Sequence, residues 1–130
     1  MPSKIDMLTK GRTDTFIMNE RFPSYLSPRG KQVYLMDIVK AFAKQCGEMY
    51  FPEGIPVSIQ IEIREKKQST LAEKEESNLV GFPRIDKVGA IFVEALSGAA
   101  FYNANQVSEL YITKLKSNEN RIKVQIFRCT

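Results

Sequence analysis

Apolar positions recur along this chain with two distinct periods. Between Pro28 and about Glu48, Val33, Tyr34, Ile38, Phe42 and Cys46 form a stripe at helical spacing, with Leu35, Val39 and Met49 alongside. Ser27 and Pro28 place a capping hydroxyl and a first-turn proline at its start, which predicts a long amphipathic helix. From Val57 the period drops to two. Val57, Ile59, Ile61 and Ile63 alternate with Ser58, Gln60, Glu62 and Arg64, the pattern of a half-buried strand with one solvated side. Thr15–Met18 reads as a short strand, Asn19–Leu26 as loop and Phe51–Pro56 as turn.

A second helix is predicted from Lys87 to about Leu96, capped by Asp86, with Val88, Ile91, Phe92, Ala95 and Leu96 inward and Gly98 ending it. Gly89 weakens that helix and marks a close approach of packing or ligand. Two further strands follow. Leu110 and Ile112 alternate with Glu109, Tyr111 and Thr113, and Ile122, Val124 and Ile126 alternate with Arg121, Lys123 and Gln125. The turn Lys116–Asn120 between them predicts a hairpin. Phe101 and Tyr102 read as packing residues, and Asn103 and Asn105 as turn residues. The sum is an α+β fold, an α/β-type mixed sheet of about four strands with two main helices. Residues 1–13 read as a flexible arm before a single domain spanning 14–130. Within it the charged stretch 65–78 forms either a short exposed helix at Thr70–Glu76 or an excursion.

Composition narrows the chemistry. At 130 residues with 43% apolar and 26% charged residues, the chain has the make-up of one globular domain. No apolar run reaches the roughly 20 residues of a membrane span, and the first residues lack the apolar stretch of a signal peptide. A cytoplasmic protein with no membrane partner is expected. There is no histidine, and Cys46 and Cys129 stand far apart, which argues against a zinc site, a Cys-His nucleophile or a Ser-His-Asp triad. Any catalysis would run on carboxylates, lysines and a bound metal. The net charge is +4. From Val107 onward Lys114, Lys116, Arg121, Lys123 and Arg128 face only Glu109 and Glu119, five cations against two carboxylates. Such a local excess suits a phosphate backbone, and it equally suits a solvated strand face.

The order of elements and several residues resemble the RusA-type Holliday-junction resolvases, small phage and prophage endonucleases. Ser27, Gly30 and Tyr34 are similar to the start of that family's long helix. The likeness is greatest where the family reads Asp-x-Asp-Asn-Leu-x-Lys-x-x-x-Asp-Ala-Leu, then Asp-Asp-x-Gln-Val, then a lysine seven residues beyond the valine. Here Glu94-Ala-Leu96, Gln106-Val107 and Lys114 stand at matching positions. The resemblance spans about residues 15–128. It implies a homodimer acting on branched DNA, with aspartates converging on magnesium and a lysine assisting phosphodiester chemistry.

The departures fall on that chemistry. Asp86 matches the second aspartate of Asp-x-Asp, but Arg84 replaces the first, Lys87 the asparagine and Ala90 the helical lysine. The downstream Asp-Asp pair becomes Asn103-Ala104. Asp86 and Glu94 are eight residues apart, roughly 12 Å along a helix, too far to share one ion. An arginine beside the site repels a divalent cation and attracts phosphate.

The expectation is therefore a phage-type resolvase-like pseudoenzyme that binds branched DNA through Arg84, Lys87, Lys114, Lys116, Arg121 and Lys123 and needs no cofactor. The alternative is an active magnesium-dependent endonuclease of DNA recombination. Asp86 would then be both metal ligand and catalytic residue, with Glu73, Glu75 or Glu76 supplying the missing oxygens. A third reading is a protein–protein interaction module whose partner is a host or phage regulator.

Overall fold

The computed structural model describes residues 11–23, 25–47, 50–66 and 84–129. Six principal elements follow in order: strand β1 (Thr13–Met18), helix α1 (Pro28–Cys46), strand β2 (Val57–Lys66), helix α2 (Ile85–Leu96), strand β3 (Val107–Ser117) and strand β4 (Arg121–Arg128). The four strands form one mixed sheet in the order β1-β4-β2-β3. β2 and β3 run parallel, and β4 is antiparallel to both β1 and β2. This is the α+β, mixed-sheet architecture that the two periods predict. No helix among the described residues is long and apolar enough to cross a membrane.

α1 begins as its sequence dictates. Ser27 Oγ accepts from Gly30 N at 3.0 Å, and Pro28 occupies the first turn, where its missing N–H costs nothing. Tyr34, Ile38 and Phe42, four residues apart, form the buried stripe. Val33 does not join it and is 54% exposed, because its position is rotated by about 100° from Tyr34 around the helix.

Both helices cover one face of the sheet. That face is built from Phe16 and Met18 of β1, Ile122, Val124 and Ile126 of β4, and Val57, Ile59, Ile61 and Ile63 of β2, all buried. The registers agree, since Ile59, Ile61 and Ile63 lie opposite Ile126, Val124 and Ile122. Phe42 meets Phe16 edge-on at 5.8 Å, and Phe22 packs between Tyr34 and Phe92. Ahead of β1, Arg12 grips both oxygens of the buried Asp14 at 2.7 and 3.1 Å, and its guanidinium lies 4.5 Å above the Phe51 ring.

The expected hairpin between the last two strands is not formed, because β2 lies between β3 and β4. Alternation assigns each residue to a face but says nothing about which strand lies beside which. The chain leaves β3 at Ser117 and passes the end of β2 through residues 118–120. A stretch of that length can bridge the roughly 10 Å between next-nearest strands. Asn120 Oδ1 accepts from Lys66 N at 2.9 Å and fastens the crossing.

α2 returns the chain from β2 to β3 and packs on β3 through Gly89. A Cβ at that position would stand 2.8 Å from Leu110 Cδ2 and 3.1 Å from Ile112 Cδ1, so the close approach read from the sequence is one of packing. Gly98, at φ 88°, turns the chain after the helix. The short return to Val107, with Gly89 over Leu110 and Ile112, makes α2 run antiparallel to β3.

Candidate functional site

The start of α2 holds the residues on which the functional reading turns. Asp86 is not the cap. Helical geometry begins at Ile85, Arg84 is the extended residue before it, and Arg84 makes no side-chain capping bond. Asp86 sits inside the first turn, where its charge suits the positive end of the helix dipole. Arg84 reaches over it in a two-pronged contact, Nη2 to Oδ2 at 2.8 Å and Nε to Oδ1 at 3.2 Å. Desolvation pushes the Asp86 carboxyl upward. The bonds and charge of Arg84, with the backbone amides of Lys87 and Asp86, outweigh it and hold the carboxyl below its ordinary range. Both side chains remain well exposed, at 61% and 65%. The contact is therefore solvated and exchangeable, and a phosphate can take the place of the carboxylate on the same guanidinium fork.

Magnesium requires hard oxygen ligands in a near-ideal octahedron. Asp86 alone, with a guanidinium across both oxygens, does not supply that set. Glu94 lies further along the helix and pairs with Lys31 of α1 at 3.1 Å. Among the described residues, no three His, Cys, Asp or Glu side chains gather where an ion could be held. Glu73, Glu75 and Glu76 lie outside the described residues.

The six predicted DNA-binding cations do not share one surface. In the β2–β3 register Lys114 lies opposite Ile63 and Lys116 opposite Glu65, on the side covered by the helices. Arg84 and Lys87 start the helix whose Gly89 packs over Leu110 and Ile112, so they lie on the same side of the sheet as Lys114 and Lys116. Arg121 and Lys123 belong to the opposite, open face, in register with Arg64 and Glu62. There Glu62 is held below its usual pKa, first by a hydrogen bond from Arg64 at 2.6 Å, against a smaller opposing effect of burial. Arg121 stands 3.9 Å from Glu62 and 3.7 Å from Glu119. Glu62 and Glu119 thus offset part of the charge of Arg64, Arg121 and Lys123 on the open face.

The Asn103–Gln106 loop lies at the other end of α2, roughly 18 Å away along its axis. A single 3₁₀ turn, Ala104–Gln106, is fixed there by reciprocal caps. Asn103 Oδ1 accepts from Asn105 N at 2.9 Å, and Gln106 Oε1 accepts from Asn103 N at 3.0 Å. The buried Gln106 amide also donates to Pro52 O at 2.7 Å and Ile55 O at 3.0 Å. Gln106 therefore clamps this loop onto the turn before β2. The adjoining pocket, about 330 Å³, has Glu53 as its only charged lining residue, so it offers no acid–base pair.

Sequence reasoning missed two groups. Glu65 lies in β2, is 2% exposed, and stands 2.8 Å from Arg21 Nη2. The signal was its phase: it continues the inward positions of Ile61 and Ile63. At the other end Glu109 accepts from Tyr111 Oη at 2.7 Å and from Cys129 Sγ at 3.1 Å. Burial, and then the bond and charge of Glu109, push the Cys129 thiol up to about 11. No sequence pattern links residues 109 and 129. Compared with known proteins, the chain matches no family model and no curated protein.

Proposed function

We propose that this protein is a resolvase-like nucleic-acid-binding protein that acts as a homodimer, grips branched DNA and does not cut it. The observation that carries this reading is the Arg84–Asp86 contact. A cation stands where the resemblance implies a metal-binding acid, and it occupies both oxygens of the carboxylate that remains. Arg84 and Lys87 with Lys114 and Lys116 give the binding end a positive bias on the helix side of the sheet. That arrangement favours phosphate contact over metal chemistry.

The test is binding of a labelled four-way DNA junction in the presence of a chelator across a salt series. Four phosphate contacts per chain, eight per dimer, give a slope of about −7 in log affinity against log salt, and Arg84→Ala or Lys87→Ala, which removes two, reduces it by about two. No binding at low salt removes the DNA reading in favour of a protein-interaction module. Cleavage with magnesium that disappears in Asp86→Ala would establish a nuclease instead.

A further inference from the structure

The two halves of α1 meet the β1 segment differently. The last turn closes the outer edge of β1: the Gln45 side-chain amide donates to Ile17 O at 2.7 Å and accepts from Ile17 N at 2.8 Å. The first half carries the loop that follows β1, because Phe22 packs edge-on against Tyr34 with ring centroids 5.7 Å apart. That contact brings an acidic pair to one place. Glu20 precedes Phe22 by two residues, and Asp37 lies three residues beyond Tyr34, where helical side chains are neighbours. The carboxylates act on each other and on the tyrosine. Burial first, and then the charge of Asp37, raises the pKa of Glu20. Burial, followed by the charges of Glu20 and Asp37, raises that of the Tyr34 hydroxyl. No cation answers the pair among the described residues. Arg21, next to Glu20 in sequence, turns instead to the buried Glu65 at 2.8 Å, and Lys40 lines the groove between α1 and α2. Tyr34 itself is 5% exposed, and its Oη has no hydrogen-bond partner. Like charges held together and a buried hydroxyl left unpaired both oppose folding, and a bound ion with its water relieves both.

We propose that Glu20 and Asp37 hold a hydrated magnesium ion, with Tyr34 Oη bonded to one of its coordinated waters. The donor chemistry selects the ion. Only oxygens converge here, which suits a hard divalent cation and not zinc or copper. Magnesium keeps several waters and is held by one or two carboxylates, so this pair suffices where calcium would call for six to eight oxygens. Two positive charges neutralise both acids. The exposed carboxylates reach the ion directly, whereas the buried Tyr34 acts through water and fixes its orientation. Asp86 takes no part, and neither acid contacts the cations of the DNA reading.

The experiment uses the full chain, stripped with a chelator and free of DNA. Magnesium chloride is titrated by calorimetry and in thermal melts, against sodium chloride of equal ionic strength. Saturable binding with a Kd of about 0.1–1 mM is expected, with a Tm that rises with magnesium and not with sodium. Asp37→Asn and Glu20→Gln each weaken the affinity by about tenfold or more, yet in chelator each melts no lower than wild type, because a repulsion is gone. Tyr34→Phe weakens it by about tenfold and also melts no lower in chelator, since the hydroxyl it removes has no partner there. No saturable binding below about 10 mM overturns the proposal. So does binding that Asp37→Asn and Glu20→Gln leave unchanged, or a lower melt of these variants in chelator, which would show that the acids already have partners. Binding lost in Asp86→Asn and kept in Asp37→Asn would move the ion to the start of α2 and overturn it too. The junction assay runs in chelator, so failure of either reading leaves the other standing.

Discussion

Replacing Gln106 by leucine separates the clamp from the volume it fills. The side chain is 6% exposed and makes three well-formed hydrogen bonds, to Pro52 O, Ile55 O and Asn103 N. A fourth contact, to Phe51 O at 3.4 Å, is too long to add much. Each intramolecular hydrogen bond contributes about 1 kcal/mol net, and partners left dry and unpaired cost more. Leucine keeps the volume, so no cavity term enters. The expected loss is about 3 kcal/mol in urea denaturation with an unchanged m-value, or a fall of about 10 °C in Tm. Gln106→Glu is harsher at neutral pH because its carboxylate faces carbonyl oxygens. Part of that loss returns below about pH 4, where the protonated acid donates again. A Gln106→Leu loss below about 1 kcal/mol would mean that water satisfies the carbonyls and that the loop is not clamped by this residue.

Three further outcomes follow from the packing and the thiols. Gly89→Ala stays within about 1 kcal/mol of wild type, since the gain in helix propensity offsets a contact that the flexible, half-exposed Leu110 side chain can relieve. Gly89→Val costs about 2–3 kcal/mol in the same assay, because its branch cannot avoid Ile112 as well. Gln45→Ala removes the edge cover of β1, with a loss of about 1 kcal/mol and faster hydrogen exchange at the Ile17 amide; an unchanged exchange rate would refute the cover. Alkylation of Cys129 follows its thiolate, so it stays slow at pH 8 and rises towards pH 11. Glu109→Gln moves that rise to lower pH, as mass spectrometry of the labelled peptide would show.

The sequence was legible where a residue's surroundings are set by its near neighbours. Ser27–Pro28, the Tyr34–Ile38–Phe42 stripe and the alternation of Val57–Ile63 each fix a local conformation and a buried side. Asp86 was misread by two residues. The helix begins at Ile85, so Asp86 lies inside the first turn, where its carboxylate meets Arg84 and the nearby backbone amides. Glu65 was placed with the charged stretch that follows it, although its phase continues β2 inward to meet Arg21.

By itself, then, the sequence determined the number and kind of elements and the buried face of each strand. Strand order was decided only by tertiary structure. β2 comes between β3 and β4, and that choice leaves β3 as the outer strand among the described residues while Gln45 closes β1. It also divides the six cations, with Lys114 and Lys116 on the helix side and Arg121 and Lys123 on the open face. The physical reason is that alternation and helical period act within one segment. Strand neighbours and ion pairs between distant residues are set by how all the segments bury their apolar faces together.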